Sequence, residues 1–496
     1  MRQASRGLQS SPDSLALLGP VYVRGPGSTE CTHGRRGPRV ARFLSRGVWL
    51  VAVLALAAPV GWHALGTQPE AQLPAASPSP LPSAAAEPFA PLGADAPLPH
   101  GAALTAAVEA AVKGKHGGYA VAVQDVATGE TLVDRQAATP GVPASSLKLL
   151  TGAAALASFE HGHRFTTSVT VDSGHRLRLV GGGDALLGAG ASQPGSVAGH
   201  AGLETLAKLT VEALGKLDKL ERSYTVLADT SLFPGPALNP DWTEDLITTN
   251  NITEVQTPVI NAGRASASHT SAVVRQPANA ALAAFVKALT EQAKAAKLET
   301  EFTAGGQTGK DEHASELASV ESATLLEQLG YMEAHSDNFM AETFGRLVAV
   351  QRGATGSLPH AREQVTAAVK ALGVDTTGLS MADTSGLAAT NKVTPVTLAS
   401  LLTHAAASNN ADLRELATLL PVSGATGTLA GRLKGEATTG LVRAKTGTLA
   451  AVVSLSGYAT TADGRLLSFS VMASGVQGAL TEARGVADTI AAALLK

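Results

Sequence analysis

The chain has one cysteine, few aromatic residues and little charge, and each shortage removes a class of protein. Cys31 is the only cysteine among 496 residues, so the sequence excludes an intrachain disulfide and a cysteine-based metal site. Aromatic residues make up 4% and charged residues 16%, with a net charge of −3, which offers no basic face for nucleic acid. Hydrophobic residues reach 45%, so a large core can form, and the length favours two or more domains.

The N-terminal segment predicts attachment to a membrane. Residues 1–46 form a basic head with eight arginines and two acidic residues. Gly47 to Leu65 is almost wholly apolar, and nineteen helical residues rise about 28 Å, close to the thickness of the bilayer core. The positive-inside rule places the head in the cytoplasm and the rest of the chain outside. We expect residues 47–66 to be an uncleaved anchor. A signal peptide cleaved near residues 55–57 is the alternative, and it also leads to export.

The remaining chain predicts a linker followed by an α/β (α+β) fold. Residues 67–100 are rich in proline, alanine and serine and predict an extended linker. A hairpin is predicted at 119–133, and three more strands at 441–444, 451–458 and 466–472 precede a final amphipathic helix. These strands would form one antiparallel sheet flanked by helices.

A serine and a lysine stand three residues apart at the start of an alanine-rich run. Pro143 and the serines after it predict a helix that continues to about Leu156, with Ser145 and Lys148 on one face. A serine hydroxyl becomes a nucleophile when a nearby base takes its proton, and a lysine of lowered pKa can be that base. A chain of this length contains roughly one Ser-x-x-Lys by chance, so the pair needs support from elsewhere.

Two further motifs supply that support. Ser336-Asp337-Asn338 lies at the junction of two predicted helices, where an N-cap is the alternative role. Lys445-Thr446-Gly447-Thr448 is predicted at the end of one strand and just before the next, where a turn is the alternative. Three such motifs in this order are improbable as a coincidence.

The order Ser-x-x-Lys, Ser-x-Asn, Lys-Thr-Gly resembles that of the penicillin-binding protein and serine β-lactamase superfamily. Finer matches resemble the D-alanyl-D-alanine carboxypeptidase/endopeptidase family of class C low-molecular-mass penicillin-binding proteins (the DacB type). Those matches lie at residues 143–155, 179–184, 383–387, 391–395 and 420–429, and the resemblance covers about residues 101–496.

This resemblance implies a transpeptidase-like catalytic domain with one smaller inserted domain. The catalytic domain would comprise residues 101–163 and 315–496, and residues 164–314 would be the insert. Ser336 follows Ser145 by 191 positions, which leaves room for it. The short stretch between Asn261 and Arg275 implies that a second insert, present in many members, is reduced or absent.

The resemblance also implies the chemistry. It assigns catalysis to Ser145, Lys148, Ser336, Asn338 and Lys445, and substrate binding to Thr446, Gly447 and Thr448, with no metal and no cofactor. Asn338 would bind the substrate amide and position Lys148. The implied activity is that of a serine-type D-Ala-D-Ala carboxypeptidase (EC 3.4.16.4). The sequence does not decide between this activity and DD-endopeptidase cleavage, because both cut a D-Ala carbonyl and differ in the leaving amine. Its partners would be peptidoglycan stem peptides, with β-lactams as covalent inhibitors, at the outer side of the cytoplasmic membrane.

Two other functions use the same motifs. A serine β-lactamase has all three, but in class A enzymes the first two lie closer together and a glutamate serves deacylation. A non-catalytic wall-binding scaffold could keep the fold, although such proteins tend to lose a catalytic side chain. Turnover of a penicillin would favour the first alternative, and a folded but inert wild type would favour the second.

Overall fold

The computed structural model describes residues 96–496, and its strands form two sheets of five. The strands are β1 Gly118–Asp125, β2 Thr131–Arg135, β3 Arg164–Val171, β4 Arg176–Gly181, β5 Ser223–Asp229, β6 Glu301–Thr308, β7 Ser315–Thr324, β8 Val442–Leu449, β9 Val452–Thr460 and β10 Leu466–Ser474. The helices are α1 Gly101–Val112, α2 Lys148–Ser158, α3 Leu203–Leu214, α4 Glu244–Thr248, α5 Pro277–Ala295, α6 Leu325–His335, α7 Asn338–Gln351, α8 Leu358–Ala371, α9 Pro395–Ala406, α10 Ala411–Arg414, α11 Leu416–Leu419 and α12 Leu480–Ala493.

The first sheet has the order β2-β1-β10-β9-β8, and every neighbouring pair is antiparallel. Because β1 pairs with β10, the N-terminal hairpin completes a sheet whose other strands come from the C-terminal part of the chain. The predicted antiparallel sheet flanked by helices is confirmed.

Side chains along β1 point alternately to the two faces of this sheet, and helices cover both faces. Tyr119, Val121 and Val123 join a core with α1 and α12, whose buried positions recur every three or four residues. Ala122 faces α9 instead, and Gln124 donates to the hydroxyl of Ser400 on that helix at 3.1 Å. The sheet therefore lies between a helix pair on one side and α9 on the other.

The second sheet is mixed, in the order β6-β5-β4-β3-β7. The pairs β4–β5 and β5–β6 are parallel, whereas β3 pairs antiparallel with β4 and β7. Leucine, valine and phenylalanine side chains of α3 and α5 form a separate core with these strands. The sheet thus has its own hydrophobic layer.

The local structure at two of the motifs differs in detail from the prediction. Ser145 lies on a 3₁₀ turn, Ala144–Leu147, and the α-helix begins only at Lys148, because Ala144 has φ 47° and breaks helical geometry before the serine. The Lys445–Thr448 motif lies at the C-terminal end of β8 and just before β9, as predicted, but the strand continues through it and does not end at residue 444, since its residues continue the pairing with β9.

The predicted basic head, anchor and most of the linker lie outside the described residues. Within residues 96–496, no helix is both long enough and apolar enough to cross a membrane.

Candidate active site

Ser145 is presented on the tight turn that precedes α2. Its side chain is half-buried, whereas the neighbouring Ser146 is fully buried. Gly386 packs against the carbonyl of Ala144, and a Cβ at that glycine would come within 1.9 Å of the carbonyl oxygen. The turn is therefore held from outside by a segment that tolerates no side chain at this point.

Lys148 contacts Ser145 and two acceptors from distant parts of the chain. Its Nζ lies 3.0 Å from the Oγ of Ser145 and donates to Oδ1 of Asn338 at 2.8 Å. It also donates to the carbonyl of Ser385 at 2.7 Å. A neutral amine fits these partners, because two N–H groups can serve the two acceptors while the lone pair accepts from the serine hydroxyl.

The surroundings of Lys148 favour that neutral form. The side chain is fully buried, and burial lowers the pKa of the amine to about 8. Four carboxylates oppose this shift: Glu333, Asp383, Asp337 and Glu342. The amine can therefore lose its proton near neutral pH, as an activating base must.

Ser336 and Asn338 flank the turn between α6 and α7. Ser336 ends α6 with φ 55°, and Asp337 caps α7 by accepting from the N–H of Met340 at 3.0 Å. The capping role thus belongs to Asp337, which leaves the other two side chains for other contacts. Besides Lys148, Asn338 contacts the carbonyl of Asn251, to which its Nδ2 donates at 3.0 Å.

Lys445 reaches the same region from β8. Its side chain is fully buried, and Nζ donates to Oγ of Ser336 at 2.8 Å and to the carbonyl of Thr446 at 3.0 Å. Burial lowers the pKa of this second amine, the carboxylate of Glu333 raises it, and the charge of Lys148 lowers it further. Two lysines of lowered pKa therefore share one region.

The rest of the Lys445 motif lies against the serine turn. A Cβ at Gly447 would come within 2.9 Å of the backbone nitrogen of Ser145, so a glycine is needed for this close approach. Thr446 donates its hydroxyl to that of Thr428 at 2.9 Å, and Thr448 is exposed. The strand edge thus offers hydroxyl groups beside the serine.

The structure brings the predicted site residues together from three parts of the chain. Ser145, Lys148 and Asn338 share one set of hydrogen bonds, and Ser336 and Lys445 form a second set beside it. Among the side chains of residues 96–496, no group of three or more His, Cys, Asp or Glu is arranged to hold a metal ion.

The sequence motifs do not identify the residues that fix the carbonyl of Ser385 beside Lys148. Glu342 accepts through Oε1 from the N–H groups of Thr384 at 2.9 Å and Ser385 at 2.8 Å. This fixes the carbonyl that contacts Lys148. Burial and, to a smaller extent, the charge of Asp383 raise the pKa of Glu342 to about 7. A glutamate inside a helix and a backbone carbonyl carry no local signal in the sequence.

The fold and the clustered motifs define a protein of the penicillin-binding protein and serine β-lactamase class. Penicillin-binding protein 4 of Haemophilus influenzae superposes with a TM-score of 0.57, covering 76% of this chain and 94% of that protein. The two sequences are 20% identical, so this likeness concerns the fold.

The chain belongs to the D-Ala-D-Ala carboxypeptidase 3 (S13) family, which matches residues 104–300 and 264–494. It is 33% identical to the carboxypeptidase DacB of Mycolicibacterium smegmatis over 472 residues, 93% of this chain and 98% of that protein. A D-alanyl-D-alanine carboxypeptidase from an Actinomadura species is 31% identical over 442 residues, 75% of this chain and 79% of that one. The family predicted from the motifs is confirmed, and the chain is a peptidase of that family.

Proposed function

We propose that the chain is a serine-type D-Ala-D-Ala carboxypeptidase (EC 3.4.16.4) that trims peptidoglycan stem peptides and also cleaves cross-links as a DD-endopeptidase. The observation that carries this proposal is the 3.0 Å contact between the Ser145 hydroxyl and the Lys148 amine beside a second buried lysine. The names of two relatives, a carboxypeptidase and a D-alanyl-D-alanine carboxypeptidase, support it.

Acylation begins at Ser145. Its Oγ bonds to the carbonyl carbon of the penultimate D-Ala while the neutral amine of Lys148 takes the hydroxyl proton. Asn338 positions that amine through their 2.8 Å contact, and its amide group also binds the substrate amide. The backbone N–H groups of Ser145 and Thr448 would stabilise the negative oxygen, and losing one such donor typically costs about 10²–10³ in rate.

Collapse of this intermediate breaks the C–N bond and releases the terminal D-Ala. The leaving nitrogen needs a proton, which passes from Lys148 through the hydroxyl of Ser336. Because Lys445 donates to Oγ of Ser336, the hydrogen of that hydroxyl remains free to be donated onward. Water then attacks the ester carbonyl and gives a proton to Lys148. The oxygen of that water forms the new carboxyl group as the bond to Ser145 breaks, and Lys148 returns the proton to the Oγ of Ser145.

Recognition of the substrate depends on its terminal carboxylate. Lys445 supplies the positive charge, and the hydroxyls of Thr446 and Thr448 supply further donors. The bound carboxylate also favours the protonated form of Lys445, so substrate binding opposes the effect of burial. Gly447 contributes by letting the strand approach the serine.

The same chemistry predicts covalent inhibition by β-lactams, whose ring amide replaces the scissile bond. The leaving nitrogen stays tethered to the acyl group, which slows attack by water. The H. influenzae protein of the same fold has been solved in complex with a β-lactam.

A labelling experiment with the full-length chain tests the assignment of the nucleophile. We expect Ser145→Ala to abolish labelling by a fluorescent penicillin and Ser146→Ala to retain it. Ser146 is the matched control because its hydroxyl is buried against that of Ser454 at 2.8 Å. Labelling that survives the first change would refute the nucleophile, and rapid turnover of the acyl-enzyme would indicate a β-lactamase.

Mass spectrometry of stem peptides and cross-linked dimers after incubation with the enzyme tests the substrate. Loss of one D-Ala from pentapeptides indicates carboxypeptidase activity, and conversion of dimers to monomers indicates endopeptidase activity. Neither change, from a protein that still labels, would contradict the proposed substrate.

We also propose that the enzyme works at the outer side of the cytoplasmic membrane, anchored by residues 47–66.

Its catalytic domain would comprise residues 101–163 and 315–496, with residues 164–314 as the insert. In support, the first sheet takes its strands from 118–135 and 442–474, and the second from 164–324.

A further inference from the structure

Glu333 is a buried carboxylate that the proposed reaction does not use. It lies in the last turns of α6, three residues before Ser336, and is fully buried. Neither of its oxygens accepts a hydrogen bond from any group within residues 96–496. Its Oε1 would lie 3.4 Å from a Cβ placed on Gly152, which stands one turn after Lys148 on α2. The carboxylate thus borders the helix that carries the proposed base.

The charged groups that shift the pKa of Glu333 are the two lysines of the site. Burial raises the pKa of the Glu333 carboxyl, and the charges of Lys445 and Lys148 lower it, with Lys445 having the larger effect. In return, Glu333 is the strongest of the charged groups that raise the pKa of each lysine. The three groups therefore titrate as one interacting set.

Folding alone does not account for a carboxylate at this position. A buried carboxylate without a hydrogen-bond partner costs free energy, and an apolar side chain of similar size would fill the same space without that desolvation cost. An electrostatic role accounts for it better, because two buried ammonium groups repel each other and need a counter-charge.

We propose that Glu333 is a positioning residue, the buried counter-ion that Lys445 and Lys148 share, and that it sets the pH range in which one of these amines is protonated and the other free. This inference rests on the proposed function, because it assumes that one lysine acts as a base and the other holds a carboxylate. Glu333 acts through the lysines and touches neither substrate nor nucleophile.

Other charged groups near the lysines act on Lys148. Asp383, Asp337 and Glu342 raise the pKa of Lys148. The charged groups that shift the pKa of Lys445 are Glu333, which raises it, and Lys148, which lowers it. Removing the Glu333 charge therefore leaves Lys148 with carboxylates nearby, while Lys445 loses the only negative group that acts strongly on it among the described residues. The larger effect is expected on the lysine that would bind the carboxylate.

The test compares second-order acylation rate constants of the full-length wild type and Glu333→Gln from pH 5 to 10, measured at penicillin concentrations far below saturation. Under this condition the rate depends on the protonation of both amines in the free enzyme, whereas at saturation the bound carboxylate keeps Lys445 protonated. We expect a bell-shaped profile whose two limbs both move to lower pH in the variant, the alkaline limb by about one unit or more. A shift of one unit means an approximately tenfold lower rate at a fixed pH on that limb. A residue that only supported packing would lower the rate without moving either limb.

A second measurement reports on the charge of Lys445 alone. The wild type should prefer benzylpenicillin over its methyl ester, which lacks the carboxylate. In Glu333→Gln, at a pH on the alkaline limb, we expect this preference to fall about tenfold in parallel with the limb shift. Glu333→Asp keeps the charge and should retain most of the preference.

The controls separate charge from folding. Glu333→Met is close in shape and lacks the charge, so it must shift the profile as Glu333→Gln does. Urea denaturation of both variants shows whether each is folded. Asp184→Asn removes another buried carboxyl, whose pKa burial raises to about 7, and should leave both limbs in place. If both neutral variants keep the two limbs of the wild-type profile and the wild-type preference for benzylpenicillin over its methyl ester, the inference is overturned. Failure of the wild type to acylate at all would instead overturn the proposed function.

Discussion

Replacing Gly447 with alanine is expected to slow acylation severely, because the new methyl group would collide with the turn that carries the proposed nucleophile. Its Cβ would lie 2.2 Å from the Oγ of Ser454 and 2.7 Å from the carbonyl of Pro143. It would also lie 2.9 Å from the nitrogen of Ser145. Two of these three atoms belong to the backbone, so a side-chain rotation cannot relieve the contact.

The size of the effect follows from the displacement that is needed. The strand and the turn must separate by roughly 0.5–1 Å to restore ordinary contact distances. A misplacement of about 1 Å costs about 10²-fold in rate, and overpacking of this kind costs about 1–3 kcal/mol of stability. We therefore expect acylation near one hundredth of the wild-type rate in a protein that still folds.

Time courses of labelling by a fluorescent penicillin give the acylation rate, and urea denaturation gives the free energy of unfolding. Gly485→Ala is the matched control, because a Cβ at this helical glycine of α12 meets nothing within 4 Å. It should label normally and gain about 0.4–1 kcal/mol of stability. Wild-type acylation by Gly447→Ala would refute the close approach of β8 to the serine turn.

Two further predictions concern protonation and buried charge. Because burial lowers the pKa of Lys148 to about 8 and only its unprotonated amine can accept the serine proton, acylation at saturating penicillin should rise with pH through about 8. Its rate at pH 6 should be about 100-fold below the plateau, and a flat profile between pH 6 and 9 would rule out this base. The buried pair of Arg465 and Asp125, joined by contacts of 2.6 and 2.7 Å, should make Arg465→Met cost about 3–5 kcal/mol in urea denaturation. Adding Asp125→Asn should recover part of that loss, and a double variant no more stable than the single one would contradict the role of the unpaired carboxylate.

The sequence predicts the residues of the candidate site better than their local conformations. The motifs identify Ser145 and Lys445 by residue type and spacing, and those features do not depend on the backbone. The helix expected at Ser145 fails because the positive φ of Ala144 depends on the tertiary contact with Gly386, which has no counterpart in the local pattern. The motif at Lys445 was predicted at the end of one strand and just before the next, and the strand reaches further than the expected 441–444 because pairing with β9 continues through the motif.

Other elements and contacts could not be found in this way. The strands β6 and β7 lack regular alternation of apolar and polar residues, and much of their surface is exposed. They form because β5 and β3 offer edges for pairing. Glu333 is one glutamate in an ordinary helical pattern, and only the tertiary structure shows that two lysines are its charged neighbours.

The contact between Asn338 and Asn251 links a loop that is distant in the sequence to the position of Lys148. The amide of Asn338 accepts from Lys148 through its oxygen and donates to the Asn251 carbonyl through its nitrogen. A change in the length or conformation of that loop would rotate the amide and move Lys148, the proposed base, although none of the three motifs would be altered. Substitutions in a surface loop can therefore change the turnover of such an enzyme. For the same reason, relatives with identical motifs can differ in their sensitivity to inhibitors.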